Sequence, residues 1–188
     1  IVINGKDGDT IYPQILLTNS HDGKNAFTFT AGLFRMICEN GLVIADTEFE
    51  DVKMRHMGYT FEELQGMIKD MVEKLPLTVE SMNKMKEVEL EGDKIIELAK
   101  DLLNIRVKDT NNSYNEFAVK EVLKTQRVED EGNGLWEVFN TIQENIINGN
   151  FHYHTEGGKE RQARIIKNFK QDLDLNRKMF SKALEYAC

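Results

Sequence analysis

The chain has 188 residues and a formal net charge of −8, with 40% hydrophobic and 30% charged residues. That length suffices for a buried core, and the balance is that of a globular chain, not a disordered one. The acidity argues against broad phosphate binding by the whole surface, which needs a surplus of Lys and Arg, and no apolar run reaches the roughly 18 residues of a membrane span.

Residues 1–46 favour strands. Thr10, Ile11, Tyr12 and Ile15 to Thr18 suit a pleated surface. Lys6-Asp7-Gly8-Asp9 marks a turn before them, and Pro13 suits a strand start, an edge or a bulge. Ser20-His21-Asp22-Gly23-Lys24 carries the Asp-Gly hairpin dipeptide. Phe27 and Phe29 then alternate with Thr28 and Thr30, as in a second strand. Asn40-Gly41 separates GLFRMIC, strand or short helix, from LVIA.

From residue 60 the period becomes helical. Thr60-Phe61-Glu62-Glu63 has the spacing of a capping box, and Phe61, Leu64, Met67, Ile68, Met71, Val72 and Leu75 form an apolar stripe. Pro76 is expected to end or kink that helix. A short helix is expected over 78–86, with Val79, Met82 and Met85 inward, and another over about 93–104 with Asp93 as its cap. Its stripe is Ile95, Ile96, Ala99, Leu102 and Leu103. Ser113-Tyr114-Asn115-Glu116 reads as a second capping box, opening a helix that buries Phe117, Val122 and Leu123. Residues 129–134 read as an acidic, flexible turn. A helix over 135–148 follows and stops at Gly149. His152 and His154 fall in a loop, and a last helix is expected over about 160–187. The pattern is α+β: a small antiparallel sheet of N-terminal hairpins packed with about five C-terminal helices. It is read as a single domain, 1–188, β-rich over 1–57 and helical over 58–188. Ile1-Val2-Ile3 resembles the middle of a strand, so a further N-terminal region is expected.

Several islands carry a family resemblance. They are Ser20-His21-Asp22-Gly23, then Ala31 to Cys38-Glu39-Asn40-Gly41, then Arg55-His56, and finally LWEVFNTIQENIINGNF with the basic loop behind it. In this order the chain resembles the C-terminal portion of a longer phage- and plasmid-like protein with domain of unknown function 932. The resemblance implies a mobile genetic element and an intracellular life alongside nucleic acid. It implies no activity and no catalytic residues. Two cysteines, Cys38 and Cys188, make no disulfide framework, which fits a reduced, cytoplasmic setting.

Charge is uneven along the chain. Residues 151–170 hold five basic residues and two acidic ones, a net of +3, which leaves −11 elsewhere. The basic set is Lys159, Arg161, Arg164, Lys167 and Lys170, interleaved with Phe151, Tyr153 and Phe169. Cations neutralise phosphates and rings stack on unpaired bases. On a helix from 160, Arg164, Lys167 and Arg161 would make one basic side. The plainer reading is a solvated helix face. Arg55, ahead of the first long helix, joins the set as a candidate phosphate contact. The tentative nucleic-acid-binding set is therefore Arg55, Tyr153, Lys159, Arg161, Arg164 and Lys167.

Other chemistry is weaker. His152 and His154 would share one face of an extended segment, as metal ligands require, but only Glu156 is a local carboxylate; no cofactor is expected. Cys38 with His21 and Asp22 has no catalytic signature around it. Asp46, Glu48 and Glu50 would line one side of a strand, more simply as an acidic edge that discourages pairing than as a cation site. The leading expectation is a non-enzymatic protein that handles single-stranded nucleic acid, by binding or annealing, as a homo-oligomer. The alternative is an acidic module that binds a host protein of defence or replication, and an uncharacterised enzyme is third.

Overall fold

The computed structural model describes residues 3–4, 10–18, 27–35, 52–54, 60–108 and 113–188. The chain divides into two compact units, Ile1–Glu80 and Ser81–Cys188. The class is α+β, as the sequence pattern predicts.

The first unit holds a four-stranded antiparallel sheet in the order β1 (Ile3–Asn4), β2 (Thr10–Thr18), β3 (Phe27–Arg35), β4 (Val52–Met54). The β2–β3 ladder runs from Ile11 opposite Arg35 to Thr18 opposite Thr28. Gly32 to Arg35, ambiguous in the sequence, are therefore strand. Ile11 is buried. The hairpin turn at His21-Asp22, Cys38, the carboxylates 46–50 and Arg55-His56 lie outside the described residues.

Helix α1 (Phe61–Lys86) opens as the capping box predicts. Glu63 N–H donates to Thr60 Oγ1 at 3.2 Å, and Thr60 N–H donates to the Glu63 carboxylate at 2.7 Å. Two helices were expected across Pro76; one continuous helix is found. Proline removes a single donor, the one that would reach the Val72 carbonyl. Pro76 and Val72 are exposed, so water can replace it. The expected stripe is only partly inward: Phe61 is 66% exposed and Val72 50%.

The second unit is built around one helix. Its other helices are α2 (Gly92–Lys108), α3 (Glu116–Val122) and α5 (Phe169–Leu184), and they pack against α4 (Leu135–Asn148). On α2, Leu98, Ala99, Leu102, Leu103 and Val107 are buried, whereas Ile96 is exposed. Asp93 lies inside the first turn of α2, not ahead of it. The acidic turn before α4 is pinned, not loose. Leu90 N–H donates to Asn133 O and Leu135 N–H to Val88 O, each at 2.8 Å, and Asp130 is buried within a 3-10 turn.

Every residue of α4 from Leu135 to Ile147 is buried. Its apolar residues form the centre: Phe139 meets Phe180 edge-to-face at 5.9 Å between centroids, and Trp136 at 6.2 Å. A buried polar group without a partner costs about 1–3 kcal/mol; most polar side chains of α4 are paired internally, whereas Trp136 Nε1 and Asn140 Oδ1 have no partner among the described residues. Glu144 takes a two-pronged ion pair from Arg127, at 2.9 and 3.0 Å. Gln143 donates to Asn176 Oδ1 at 2.6 Å. Asn145 Nδ2 donates to the carbonyls of Val122, Lys124 and Thr141 at 2.9–3.0 Å.

Gly149 ends α4 in the left-handed region at φ 73°. Its N–H returns to the last turn of the helix, and an added Cβ would lie 2.6 Å from the backbone oxygen of Ala163. Gly158 has almost the same φ, 72°, with open space around it. Gly149→Ala is therefore expected to cost about 2–4 kcal/mol of stability, from the left-handed backbone and the backbone clash together. Gly158→Ala is expected to cost about 1 kcal/mol, from the backbone alone. Urea unfolding of the two variants measures the difference.

Asp172, in the first turns of α5, has its pKa pushed up to about 6 from 3.8. Burial is the main cause, and a hydrogen bond from Asn176 at 3.1 Å opposes it. The folded state therefore holds this proton more tightly than the unfolded chain does. Its contribution is fully present below pH 3.8 and is lost as pH rises through about 6. Thermal melting across that range should show the wild-type protein losing stability relative to Asp172→Asn, whose side chain does not titrate.

Candidate nucleic-acid interface

The basic segment does not form the expected helix. It folds as a two-stranded ribbon, β5 (His152–His154) with β6 (Glu160–Gln162), followed by an extended strap over 163–168. The reasons are local. Gly157 and Gly158 favour a turn, which Gly158 closes by donating to Thr155 O at 2.7 Å. Lys159 N–H donates to Thr155 Oγ1 at 3.2 Å. The helix that follows starts only after Asn168, whose side chain accepts from Gln171 N–H at 3.0 Å.

The ribbon is tied to α3. Ser113 and His154 exchange backbone hydrogen bonds at 3.1 and 2.6 Å. Ser113 is therefore engaged in a bridge, and the cap of α3 is Asn115, which accepts from Ala118 N–H at 3.0 Å. On α3, Ala118, Val119 and Val122 form the buried face, while Phe117 is 58% exposed. Glu121 of α3 accepts from His152 N–H at 2.8 Å and lies 2.7 Å from His152 Nδ1. The strap is tied to the end of α4: Ala163 N–H donates to Phe151 O, and Ile166 N–H to Ile147 O. Arg106 donates to Arg164 O at 3.0 Å.

The register separates two faces of the ribbon. Tyr153 is opposite Arg161, and these share one face. His152 opposite Gln162 and His154 opposite Glu160 share the other. The structure thus brings Tyr153 and Arg161 together as a cross-strand pair. It places Lys159 at the turn, and Arg164 and Lys167 on the strap. Lys159, Arg161, Arg164 and Lys167 are all exposed. Among the described residues none of these four forms an ion pair. By contrast, Arg127 is held by Glu144, Lys178 by Asp174 and Lys182 by Glu185. Ile165 and Phe169 are 49% and 43% exposed beside these cations in sequence. Arg55 lies outside the described residues.

His152 and His154 share a face, as the alternation predicts, but Glu121 engages the His152 ring. No group of three or more His, Cys, Asp or Glu residues suited to a metal ion occurs among the described residues.

The His152 and Gln162 face borders an open cleft of about 500 Å3. Phe117, Lys120 and Lys124 form one side of its lining, and Gln126 and Asn150 also line it. The sequence reading missed this group. Phe117 was assigned to the core, and the lysines lie outside the basic run. The stripe of Ala118, Val119 and Val122, spaced three and four residues apart, would have put Phe117 outside.

Fold and site together define an α+β protein with a helix-centred unit that carries a basic, aromatic-bearing ribbon. The chain belongs to the family described as "Domain of unknown function (DUF932)", which matches residues 1–180. It is similar to the UPF0380 proteins YafZ and YfjQ of Escherichia coli (strain K12), each 29% identical over 168 residues, 89% of this chain and 60% of the relative. The chain thus spans 60% of the length of the curated relatives it matches. No solved structure matches it. No helix among the described residues is long and apolar enough to cross a membrane.

Proposed function

We propose that the chain is the nucleic-acid-handling part of a mobile-element protein, binding single strands without catalysing a reaction. The observation that carries this reading is the set of exposed cations Lys159, Arg161, Arg164 and Lys167, which among the described residues have no carboxylate partners. A cation held by a carboxylate must give up that partner to meet a phosphate; these need not. Tyr153, cross-strand from Arg161, adds a ring beside a guanidinium, the combination that serves stacked bases and their phosphates. The phage- and plasmid-like resemblance supports the setting. The surplus of +3 over residues 151–170 against −11 elsewhere confines binding to one region of an acidic protein.

The reading is tested by fluorescence anisotropy with a labelled single-stranded DNA over a salt series. Binding should weaken steeply with salt. Changing Arg161, Arg164 and Lys167 together to Ala should lower the slope of log affinity against log salt by about 2, or about 0.7 for each lost phosphate contact. No binding at low salt, or an unchanged slope in the triple variant, would overturn it.

A further inference from the structure

We infer that the cleft between α3 and the ribbon is a nucleotide site. It uses residues other than the ribbon cations.

Hydrogen-bond direction fixes the side-chain amides behind this cleft. Asn145 Nδ2 faces three backbone carbonyls, those of Val122, Lys124 and Thr141. Carbonyls only accept, so the side-chain amide has one permitted orientation. Its Oδ1 must then be the acceptor for Gln126 Nε2 at 3.2 Å and Asn150 Nδ2 at 3.0 Å. Gln126 Nε2 also donates to Lys124 O at 3.2 Å. Both of its hydrogens are thereby used, and what Gln126 retains for a ligand is Oε1, an acceptor. A cleft wall that offers a fixed acceptor favours a ligand that brings a donor.

The other lining groups ask for an anion and a flat ring. Lys120 and Lys124 are four residues apart, exposed, and without an ion pair among the described residues. Two ammonium groups at that spacing suit a phosphate. The one carboxylate lining the cleft, Glu121, is engaged by the His152 N–H and ring. Phe117 lines the cleft with an aromatic ring that stays more than half exposed. A phosphate for the lysines, a ring for Phe117 and a base N–H for Gln126 Oε1 together describe a nucleotide. The volume, about 500 Å3, is in the range of small-molecule sites. A free nucleotide and a nucleotide unit within a strand share this chemistry.

The test is an amide NMR titration of the full chain at low salt with adenosine monophosphate, ribose 5-phosphate and inorganic phosphate, and with a short deoxyadenylate strand. Adenosine monophosphate should shift the resonances of residues 117–126 and His152. It should bind at least about five-fold more tightly than ribose 5-phosphate, which lacks the base, the effect of one hydrogen bond. Changing Lys120 and Lys124 together to Ala should weaken it about ten-fold, and Phe117→Ala at least about five-fold. All three residues are exposed, so these variants should melt as the wild type does. If the strand binds more tightly per nucleotide at the same resonances, the source is a strand; if it does not, the source is the free nucleotide. Loss of ribbon binding in the Arg161, Arg164 and Lys167 variant with the adenosine monophosphate shifts intact would leave the cleft assignment standing. Shifts elsewhere on the protein would overturn it. So would equal binding of ribose 5-phosphate or phosphate, or insensitivity to both the lysine and the phenylalanine changes.

Discussion

A helix buried on every side has no water to satisfy its polar side chains, and among the described residues Asn145 is the most extensively hydrogen-bonded of them. That residue is fully buried in α4. It donates to the backbone at the end of α3 and just beyond it, and to its own helix one turn back. It accepts from Gln126 in the segment after α3 and from Asn150 just past the end of α4. One amide thus joins three parts of the chain. Apolar contacts such as Phe139 with Phe180 supply most of the burial. They are non-directional and would allow neighbouring helices to slide. The amide geometry of Asn145, with the Gln143–Asn176 bond and the Arg127–Glu144 pair, restricts the register.

That constraint reaches the surface. The end of α4 is closed by Gly149 in a left-handed conformation, and Asn150 N–H returns to Asn145 O at 2.9 Å. The Ile147 carbonyl, which has no donor inside the helix, is met by Ile166 N–H from the strap. The strap carries Arg164 and Lys167, and the ribbon before it carries Arg161 opposite Tyr153. Their backbones are positioned by the end of a rigid helix, while their side chains stay in solvent. Order beneath and unpaired charge above are what a surface needs to hold a flexible anion at low entropic cost.

Much of this was legible in the sequence. The box Thr60 to Glu63, the limits of α4 and its stop at Gly149 follow from short-range chemistry, and short-range chemistry is what a single sequence displays. The α+β class followed from the change of hydrophobic period at residue 60. What was not legible depended on partners far along the chain. Asn115 caps α3 because Ser113 is drawn into a bridge with His154, 41 positions away. The ribbon was hidden because ERQARIIKNF is as compatible with a helix as with an extended strand. Only the Gly157-Gly158 pair signalled otherwise. The total burial of α4 was hidden by Glu137, Asn140, Gln143 and Glu144, which read as a solvent face until their partners are known. The basic residues cluster visibly along the sequence, but the helix assumed for them was wrong, so their neighbours in the cleft were missed.

The central claim is that Asn145 holds the core and the site in one register. Replacing it by Leu keeps the volume and removes every bond at once, leaving buried carbonyls and two amide groups without their partner. Urea unfolding of Asn145→Leu, with amide hydrogen exchange read at Asn150 and Ile166, tests this directly. The account predicts a loss of about 3–5 kcal/mol, and faster exchange at both amides than at the α2 core. A loss below about 1 kcal/mol, with exchange at Asn150 and Ile166 unchanged, would contradict it.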